Sequence, residues 1–467
     1  MTTAHHSTSP QAVDIAIVGG AMAGATLALG LAKLSASLAR PLRIALIEAH
    51  VADNKHPGFD ARSIAIAHGS IFELTRLGIW PKLKHLGTPI KNIHVSDRGH
   101  FGMTELNAQP LGLDALGQVV ELAKVGNVLF DELAKSSVQV YCPAKVIALQ
   151  AQQDGHVLSL DDGSQLHCQL LVAADGAHSV VRQYLGQTTE QVDFQQTAIV
   201  ANVTTNQPHQ HWAYERFTQT GPLALLPMQN MTAFSAQSKA SSTQAKEPSA
   251  QLKEPSAQLK ESSAQLKEPS NQLKQPSAQL TDSAKGQSRF SLVWALPPAQ
   301  ADELKNVDKS EFLAALQHAF GHRVGQFVDV GQRVSYPLTL SYMPRPIYHR
   351  CVFVGNAAQT LHPIAGQGFN LGLRDVVGLL DVIETALTQA NSETAVSVDL
   401  GSSDIVHQYL AARQQDRDST LRNIEFLVRG FSNQYWPLVA GRSIGLRLLS
   451  WLPPLKRPVA QTAMGWR

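Results

Sequence analysis

One stretch, DIAIVGGAMAGATLALGLAK at residues 14–33, constrains this chain more than any other. Asp14 to Gly19 reads as a short buried strand, Met22 to about Ala36 as a helix built largely of Ala and Leu, and Arg43 to Ile47 as a second buried strand. Strand, glycine turn, helix and strand make the βαβ unit of a doubly wound sheet, whose ligands lie beyond the carboxyl ends of the strands. The turn, Gly19-Gly20-Ala21-Met22-Ala23-Gly24, is a GxGxxG pattern with Ala21 in place of the middle glycine. Gly19 permits the tight turn, Gly24 lets helix and strand approach, and the middle position sets how near the backbone comes to a pyrophosphate. Glu48, at the end of the second strand, is placed to accept hydrogen bonds from ribose hydroxyls. A glycine-rich turn in any α/β protein looks much the same, so this motif alone leaves a dinucleotide site and a plain turn both open.

At 467 residues the chain exceeds one typical core, and two lobes are expected. LLVAA at 170–174 and CVFVG at 351–355 read as further strands of the first sheet, which is therefore assembled from separated pieces. His156 to Leu160 and Gln165 to Cys168 flank Asp161-Asp162-Gly163, a hairpin signal. Alternating runs at Ala198 to Thr204 and Phe290 to Leu296 suggest a second, mostly antiparallel sheet carrying the substrate. A helix is expected from Phe369 to Thr388, and a helical region from Asp404 onward. The divisions that follow are 12–100, 101–190 with some second-lobe elements, 191–340 interrupted at 238–288, 341–395, and 396–467.

The interruption has a composition of its own: KEPSAQL and close variants start at Lys246, Lys253, Lys260, Lys267 and Lys274. One Leu per unit and a Pro in most units argue against a coiled coil and for a solvated, largely disordered insertion. It is read as tolerated expansion of a surface loop, with a docking role as the alternative. Lys plus Arg number 39 against Asp plus Glu 37, a near balance that gives no reason to expect a nucleic-acid partner. Cys142, Cys168 and Cys351 form no CxxC pair, which suits a reducing cytoplasm. The first dozen residues lack the regions of a signal peptide, and no apolar run reaches roughly 18 residues, so no membrane span is expected.

Two more stretches carry chemistry. LLVAADGAHSVVR at 170–182 delivers Asp175-Gly176 to the same sheet edge, with Ser179 and Arg182 on the next turn; an ordinary strand-to-helix turn is the alternative. VGNAAQTLHPIAGQGFNLG at 354–372 is more informative. Gly355-Asn356 ends a strand, and Pro363, Gly366 and Gly368 form a loop without bulky Cβ atoms. The loop feeds Gln367, Phe369 and Asn370 into a helix whose free N–H groups point back at it and favour negative charge. His362 has no second His or carboxylate at ligand spacing, so it reads as a structural or shell residue rather than a metal ligand.

In this order and separation, the three stretches resemble the flavin-binding motifs of the class A flavoprotein aromatic hydroxylases, the group that includes p-hydroxybenzoate hydroxylase. The resemblance implies an α/β fold: a doubly wound FAD-binding lobe of the glutathione-reductase and p-hydroxybenzoate-hydroxylase type, a mostly antiparallel β-sheet substrate lobe and a C-terminal helical region. It implies that the first motif holds the ADP part of FAD, that Asp175-Gly176 sits near the pyrophosphate and is linked to nicotinamide use, and that the third contacts ribityl and ring. The family's usual Gly-Asp is Gly355-Asn356 here, an amide still able to bond ribityl hydroxyls. FDARSIAIAHG at 59–69, LGQVVE at 116–121, GPLALLPM at 221–228 and WPLVAGRSIGL at 436–446 are similar to the ubiquinone-biosynthesis hydroxylases that act on 2-octaprenyl-6-methoxyphenol. By this analogy Arg62 and Gln118 line the flavin site, although either would serve equally as a structural residue.

The implied activity is that of an FAD-dependent monooxygenase hydroxylating a polyprenylated phenol with NADH or NADPH and O2, through a flavin C4a-hydroperoxide. The flavin, not a side chain, is then the reactive group; a hydroxylase of a soluble small aromatic compound is the alternative. No second glycine fingerprint is visible, so the nicotinamide is expected to bind transiently. No catalytic base emerges: His209, His211 and Tyr214 fall in the presumed substrate lobe, and the histidines read as surface residues. A polyprenylated substrate dissolves in the bilayer. The apolar segment from Trp436 to Trp451, with Arg442 and Arg447 at intervals, is accordingly read as a peripheral contact with the inner face of the cytoplasmic membrane, with burial on the flavin lobe or a subunit interface as alternatives. Assembly with other ubiquinone-biosynthesis proteins is also implied.

Overall fold

The computed structural model describes residues 10–38, 40–51, 62–230, 286–393, 398–432 and 436–465; the KEPSAQL units lie outside the described residues. Aliphatic β1 (Gln11–Val18) and small-residue α1 (Met22–Ser35) pack closely before β2 (Ile44–Ile47). β3 (Ser63–Ala67) runs into α2 (His68–Arg76) and the one-turn α3 (Trp80–Leu83). Short strands follow: β4 (Thr88–Ile90), β5 (Asn92–Asp97), β6 (Met103–Asn107) and β7 (Gly117–Glu121). α4 (Leu122–Leu133) and β8 (Gln139–Tyr141) precede a meander of β9 (Val146–Gln152), β10 (Gly155–Leu160) and β11 (Gln165–Ala173), which ends at α5 (Val180–Tyr184). The long β12 (Glu190–Thr205), β13 (Trp212–Phe217) and β14 (Pro222–Met228) come next. β15 (Ser288–Leu296) resumes after the repeats, so Ser288 belongs to a strand rather than to the insertion. It is followed by α6 (Pro298–Asn306), α7 (Lys309–Phe320), β16 (Phe327–Val330) and β17 (Val334–Tyr342). β18 (Ile347–Tyr348), β19 (Cys351–Phe353) and β20 (Gln359–Thr360) lead to α8 (Gln367–Glu393), α9 (Ser403–Ser432), α10 (Trp436–Trp451) and α11 (Pro453–Ala463).

Among the described residues these strands form three sheets. The first runs β18-β19-β11-β1-β2-β8, with parallel pairing from β19 through β8. The runs at 165–168 and 170–174, expected as a hairpin strand and a separate core strand, are one strand, β11. Its first half pairs with antiparallel β10 and its second half with parallel β19, while β1 follows the other edge. No Gly or Pro interrupts the extended backbone between the two halves. The second sheet runs β20-β17-β12-β15-β14-β13-β5-β6, with β16 on β12, and is antiparallel except where β13 lies beside β5. Residues 92–97, assigned from sequence to the first lobe, therefore belong to the second sheet, aligned from Asn92 beside Trp212 to Asp97 beside Phe217.

Helices α1, α4, α8 and α9 cover one face of the first sheet around Ile15, Ile17, Leu46 and Val172. The second sheet buries Phe290, Leu292 and Trp294 against Phe312 and Leu316 of α7. Each such side chain stabilises the fold by about 1.5–3 kcal/mol. Its opposite face carries Ala198, Val293, Ala295 and Leu338. There, Ala213 of β13 meets Ala65 and Val119 of the small third sheet, β3-β7-β4, which lies between the two lobes.

Candidate functional site

Register gathers the three glycine-bearing turns. Phe353 lies beside Ala173, Ala173 beside Val18 and Val18 beside Ile47, so the residues that follow these four strand ends line a single sheet edge. Gly19 takes φ +101°, and a Cβ there would sit 2.5 Å from the Ala174 carbonyl oxygen. A Cβ on Gly24 would sit 1.8 Å from the Gly19 carbonyl oxygen, so only glycine lets α1 begin against the strand. Gly20 donates its N–H to Glu48 Oε2 at 2.5 Å, and His50 donates to Oε1 at 2.8 Å. Helix α1 starts after Ala21 with no side-chain cap and no acidic residue in its first turn; the backbone at Met22, Ala23 and Gly24 is thus an anion-favouring helix start. The Met22 side chain itself is in the core.

At the second turn, Asp175 Oδ2 accepts from the N–H groups of Val180 at 2.7 Å and Val181 at 3.2 Å, and so caps α5. Burial raises the Asp175 carboxyl above the usual range. Gly176, at φ +84° with open space where a Cβ would stand, offers backbone only. Arg182 donates to the Ala357 carbonyl at 2.8 Å and ties the second turn to the third. Gly355, at φ +57°, places its Cβ position 3.3 Å from Ala23 Cβ and ties the third turn to the first, with Asn356 exposed beside it. The sequence carries no local sign of what holds this turn. Asp375 of α8 accepts from the Gly355 N–H at 3.3 Å and from Gln359 Nε2 at 2.6 Å, while its other oxygen takes Arg413 Nε at 3.0 Å.

The loop after Pro363 continues the edge. Gly366, at φ +59°, donates to the Pro363 carbonyl at 3.0 Å, and its Cβ position is 3.5 Å from Ala65 Cβ. Nothing lies within 4 Å of the corresponding position on Gly368. Gln367 and Phe369 are half-buried at the start of α8. Asn370, expected at the cofactor, has its side chain engaged within the protein. Its Oδ1 accepts from Ala67 N at 2.9 Å and Ser70 Oγ at 2.8 Å, and its Nδ2 donates to the carbonyls of Ala65 at 3.0 Å and Gly366 at 2.8 Å. With its donors and acceptor committed, the side chain is a clamp fixing the Gly366 loop to β3 and α2. His362 is fully buried; it accepts the Ile364 N–H at 3.2 Å and faces Gln196 Oε1 at 3.4 Å, and burial pushes its pKa down to about 4. Arg62, just before β3, lays its guanidinium 5.3 Å from the Tyr336 ring centre, and Gln118 pairs opposite Ile66 in the third sheet, so both lie between the lobes.

One further expectation changes. His209 is not a loose surface residue: it is half-buried, its Nε2 lies 3.2 Å from the Met228 carbonyl, its Nδ1 accepts from His211 N, and its ring meets Phe290 edge-on. In α10, both arginines of the apolar segment reach back to the second sheet. Arg442 donates to Asp97 at 2.7 Å and Arg447 to the Phe101 carbonyl at 2.6 Å, which fastens the helix to β5 and β6. A separate cavity of about 540 Å³, lined by His94, Arg216 and Arg323 among others, opens on the α7 side of the second sheet, and none of the glycine turns lines it.

The sheet edge fits an elongated nucleotide: glycines whose side chains would fill the cradle, an uncapped helix start, and a carboxylate at a strand end. Among solved structures, p-nitrophenol 4-monooxygenase of Pseudomonas putida shares the fold with a TM-score of 0.69 at 14% identity, covering 98% of this chain and 99% of that one. Ubiquinone hydroxylase UbiL of Rhodospirillum rubrum is 29% identical over 464 residues, 97% of this chain and 89% of that protein. The 3-demethoxyubiquinol 3-hydroxylase of Escherichia coli is 27% identical over 462 residues, 97% of this chain and 99% of that protein. Residues 12–279 and 272–399 match the family described as FAD binding domain, and the chain belongs to that family of flavoproteins.

Proposed function

We propose that the chain is an FAD-dependent monooxygenase that hydroxylates the phenolic ring of a polyprenylated ubiquinone precursor. The balanced reaction takes an aromatic C–H, O2, NADH or NADPH and a proton to C–OH, water and the oxidised nicotinamide. The observation that carries this reading is the extent of the similarity to proteins named ubiquinone hydroxylases, 97% of the chain, so that it runs through both lobes instead of stopping at the cofactor motifs.

In this reading the start of α1 with Gly19, Gly20 and Gly24 holds the pyrophosphate, and Glu48 receives the adenosine ribose. Gly176 and Gly355-Asn356 offer backbone and amide to the middle of the nucleotide. Pro363, Gly366, Gln367, Gly368 and Phe369 border the ring, with Arg62 and Gln118 on the opposite side. FAD, when bound, supplies the redox and oxygen-transfer chemistry. The protein positions the phenol and keeps water out: Asn370 holds the loop closed on β3, and the apolar face of the second sheet forms the wall. The exposed apolar residues of α10 support a peripheral contact with the inner face of the cytoplasmic membrane, where a prenylated phenol is found; assembly with other proteins of the same pathway belongs to this reading too.

The test uses purified FAD-loaded protein, NADH or NADPH, a short-chain prenylated 2-methoxyphenol and heavy-isotope oxygen gas. A product gaining one labelled oxygen atom is expected. Nicotinamide oxidation that yields only hydrogen peroxide with every phenol tried would overturn the reading.

A further inference from the structure

β13 carries one ionisable side chain on the face that looks toward the Gly366 loop. Alternation along the strand turns Tyr214 and Arg216 toward α7, where the Tyr214 ring meets Phe320 edge-on at 5.6 Å and Arg216 Nε donates to the Ala319 carbonyl at 3.3 Å. Ala213, Glu215 and Phe217 point the other way. Ala213 packs with Ala65 and Val119 of the third sheet, and Phe217 with Leu361 and Ile364 of the loop. Those are the two flanks of Gly366, so Glu215 stands between them. Across the sheet its neighbours are Val95 and Ala224, and beyond Ala224 lies Val293. These neighbours are apolar, and beyond Val95 the row ends on Thr104 of β6; Glu215 is half-buried, but its Oε1 is sealed from solvent and has no hydrogen-bond partner among the described residues. A strand that keeps an unpartnered carboxyl among apolar neighbours pays for it in stability, which points to a partner that is not part of the chain.

Resting on the phenol-hydroxylase reading above, we infer that Glu215 accepts the hydrogen bond, and then the proton, of the substrate's phenolic hydroxyl. The proton passes from the phenol oxygen to a Glu215 carboxylate oxygen and leaves a phenolate, whose added electron density activates the ring carbon that receives oxygen. No electrons pass to or from the side chain, and the proton returns to solvent when product leaves. Burial pushes the Glu215 carboxyl up to about 7, near the value best suited to a base working at neutral pH. Desolvation is the whole cause. The titratable and charged groups on the surrounding elements are Asp97 of β5, held by Arg442 of α10, the buried neutral His362 of the loop, Arg62 before β3 and Glu121 of β7; α9 presents Ile424 and Val428.

Glu215→Gln keeps the shape and removes the acceptor; Glu215→Asp keeps the acid and shortens its reach. Flavin content serves as the folding control. The infrared carboxyl band of the FAD-loaded wild type should shift when 2-methoxyphenol binds but not when 1,2-dimethoxybenzene, which has no O–H, binds, and the band should be absent from the Gln variant. Hydroxylation in the wild type should rise with pH through about 7; in the Gln variant it should fall by roughly 10²–10⁴-fold and lose that rise, while the Asp variant keeps it. A Gln variant with the wild-type rate and pH limb, or a carboxyl band indifferent to the phenol, overturns the assignment. A band that responds to the phenol in a protein that hydroxylates none would leave the contact standing and defeat the reaction reading instead.

Discussion

Gly24 and Gly366 are both glycines for reasons a substitution can separate. At Gly24 a methyl group would collide with backbone, 1.8 Å from the Gly19 carbonyl oxygen, and neither partner can move without displacing α1 from β1. Gly24→Ala is therefore expected to yield protein without visible flavin absorbance. At Gly366 the same methyl would meet Ala65 Cβ at an ordinary 3.5 Å, so the cost is the left-handed backbone alone, about 1–2 kcal/mol, and Gly366→Ala should weaken FAD retention without abolishing it. A flavin-replete Gly24→Ala protein would contradict this account of the first turn. Gly24 was legible from spacing, whereas Glu215 was not, because YERF reads like any half-exposed strand and only the register across β5, β13 and β14 makes its carboxyl unusual. Its raised pKa has a stability consequence with a definite sign. Between the ordinary value of 4.5 and about 7 the folded state holds a proton that the unfolded state has lost, so stability falls as pH rises through that window. Glu215→Gln should consequently melt higher than the wild type above pH 7, with the difference shrinking toward pH 5; equal melting curves across the range would show that the carboxyl is better solvated than its surroundings indicate.

Between elements, the deciding feature is a buried polar network that no local pattern announces. Arg413 of α9 is fully buried, pairs with Asp375 of α8 at 3.0 Å and with Asp416 at 2.6 Å, and lies over Gly378, where a Cβ would be 2.5 Å from its Cδ. Arg417 reaches Gln359 at 2.7 Å and the Met343 carbonyl. The same Asp375 holds the Gly355 N–H, so the network that joins two helices also sets the third glycine-bearing turn. Hydrophobic patterning placed both helices, and α8 begins two residues before its expected start. Their polar partners, 38 and 58 residues apart in the chain, leave no periodic trace. Removing one member of a buried pair strands the other: Asp375→Ala should destabilise by about 3–5 kcal/mol, seen as a large fall in thermal midpoint together with earlier flavin release. A loss under about 1 kcal/mol would mean that water reaches Arg413 and that the pair is not truly enclosed.

For the molecule as a whole, the outstanding question is what covers the exposed apolar face of α10. No helix among the described residues is long and apolar enough to cross a membrane. The arginines of α10 bind Asp97 and the Phe101 carbonyl and orient the helix: Arg442, Ser443 and Leu446 face inward. That orientation leaves Ile444, Leu448 and Trp451, at helical spacing, together with Trp436, on the outer side; Trp436 is 75% and Trp451 69% exposed, far more than an aromatic side chain gains from water. If this face rests on lipid, each Trp contributes about 1.5–3 kcal/mol of transfer, roughly tenfold or more in partitioning. Trp436→Ser with Trp451→Ser should then reduce co-sedimentation with phosphatidylethanolamine–phosphatidylglycerol vesicles by at least about a hundredfold, and should slow turnover of a long-chain prenylated phenol presented in those vesicles. Turnover of a short-chain phenol in solution should be unaffected, because α10 touches the second sheet through its other side. A double variant that sediments like its parent would remove the membrane from this surface and leave the two tryptophans to be explained by a protein neighbour.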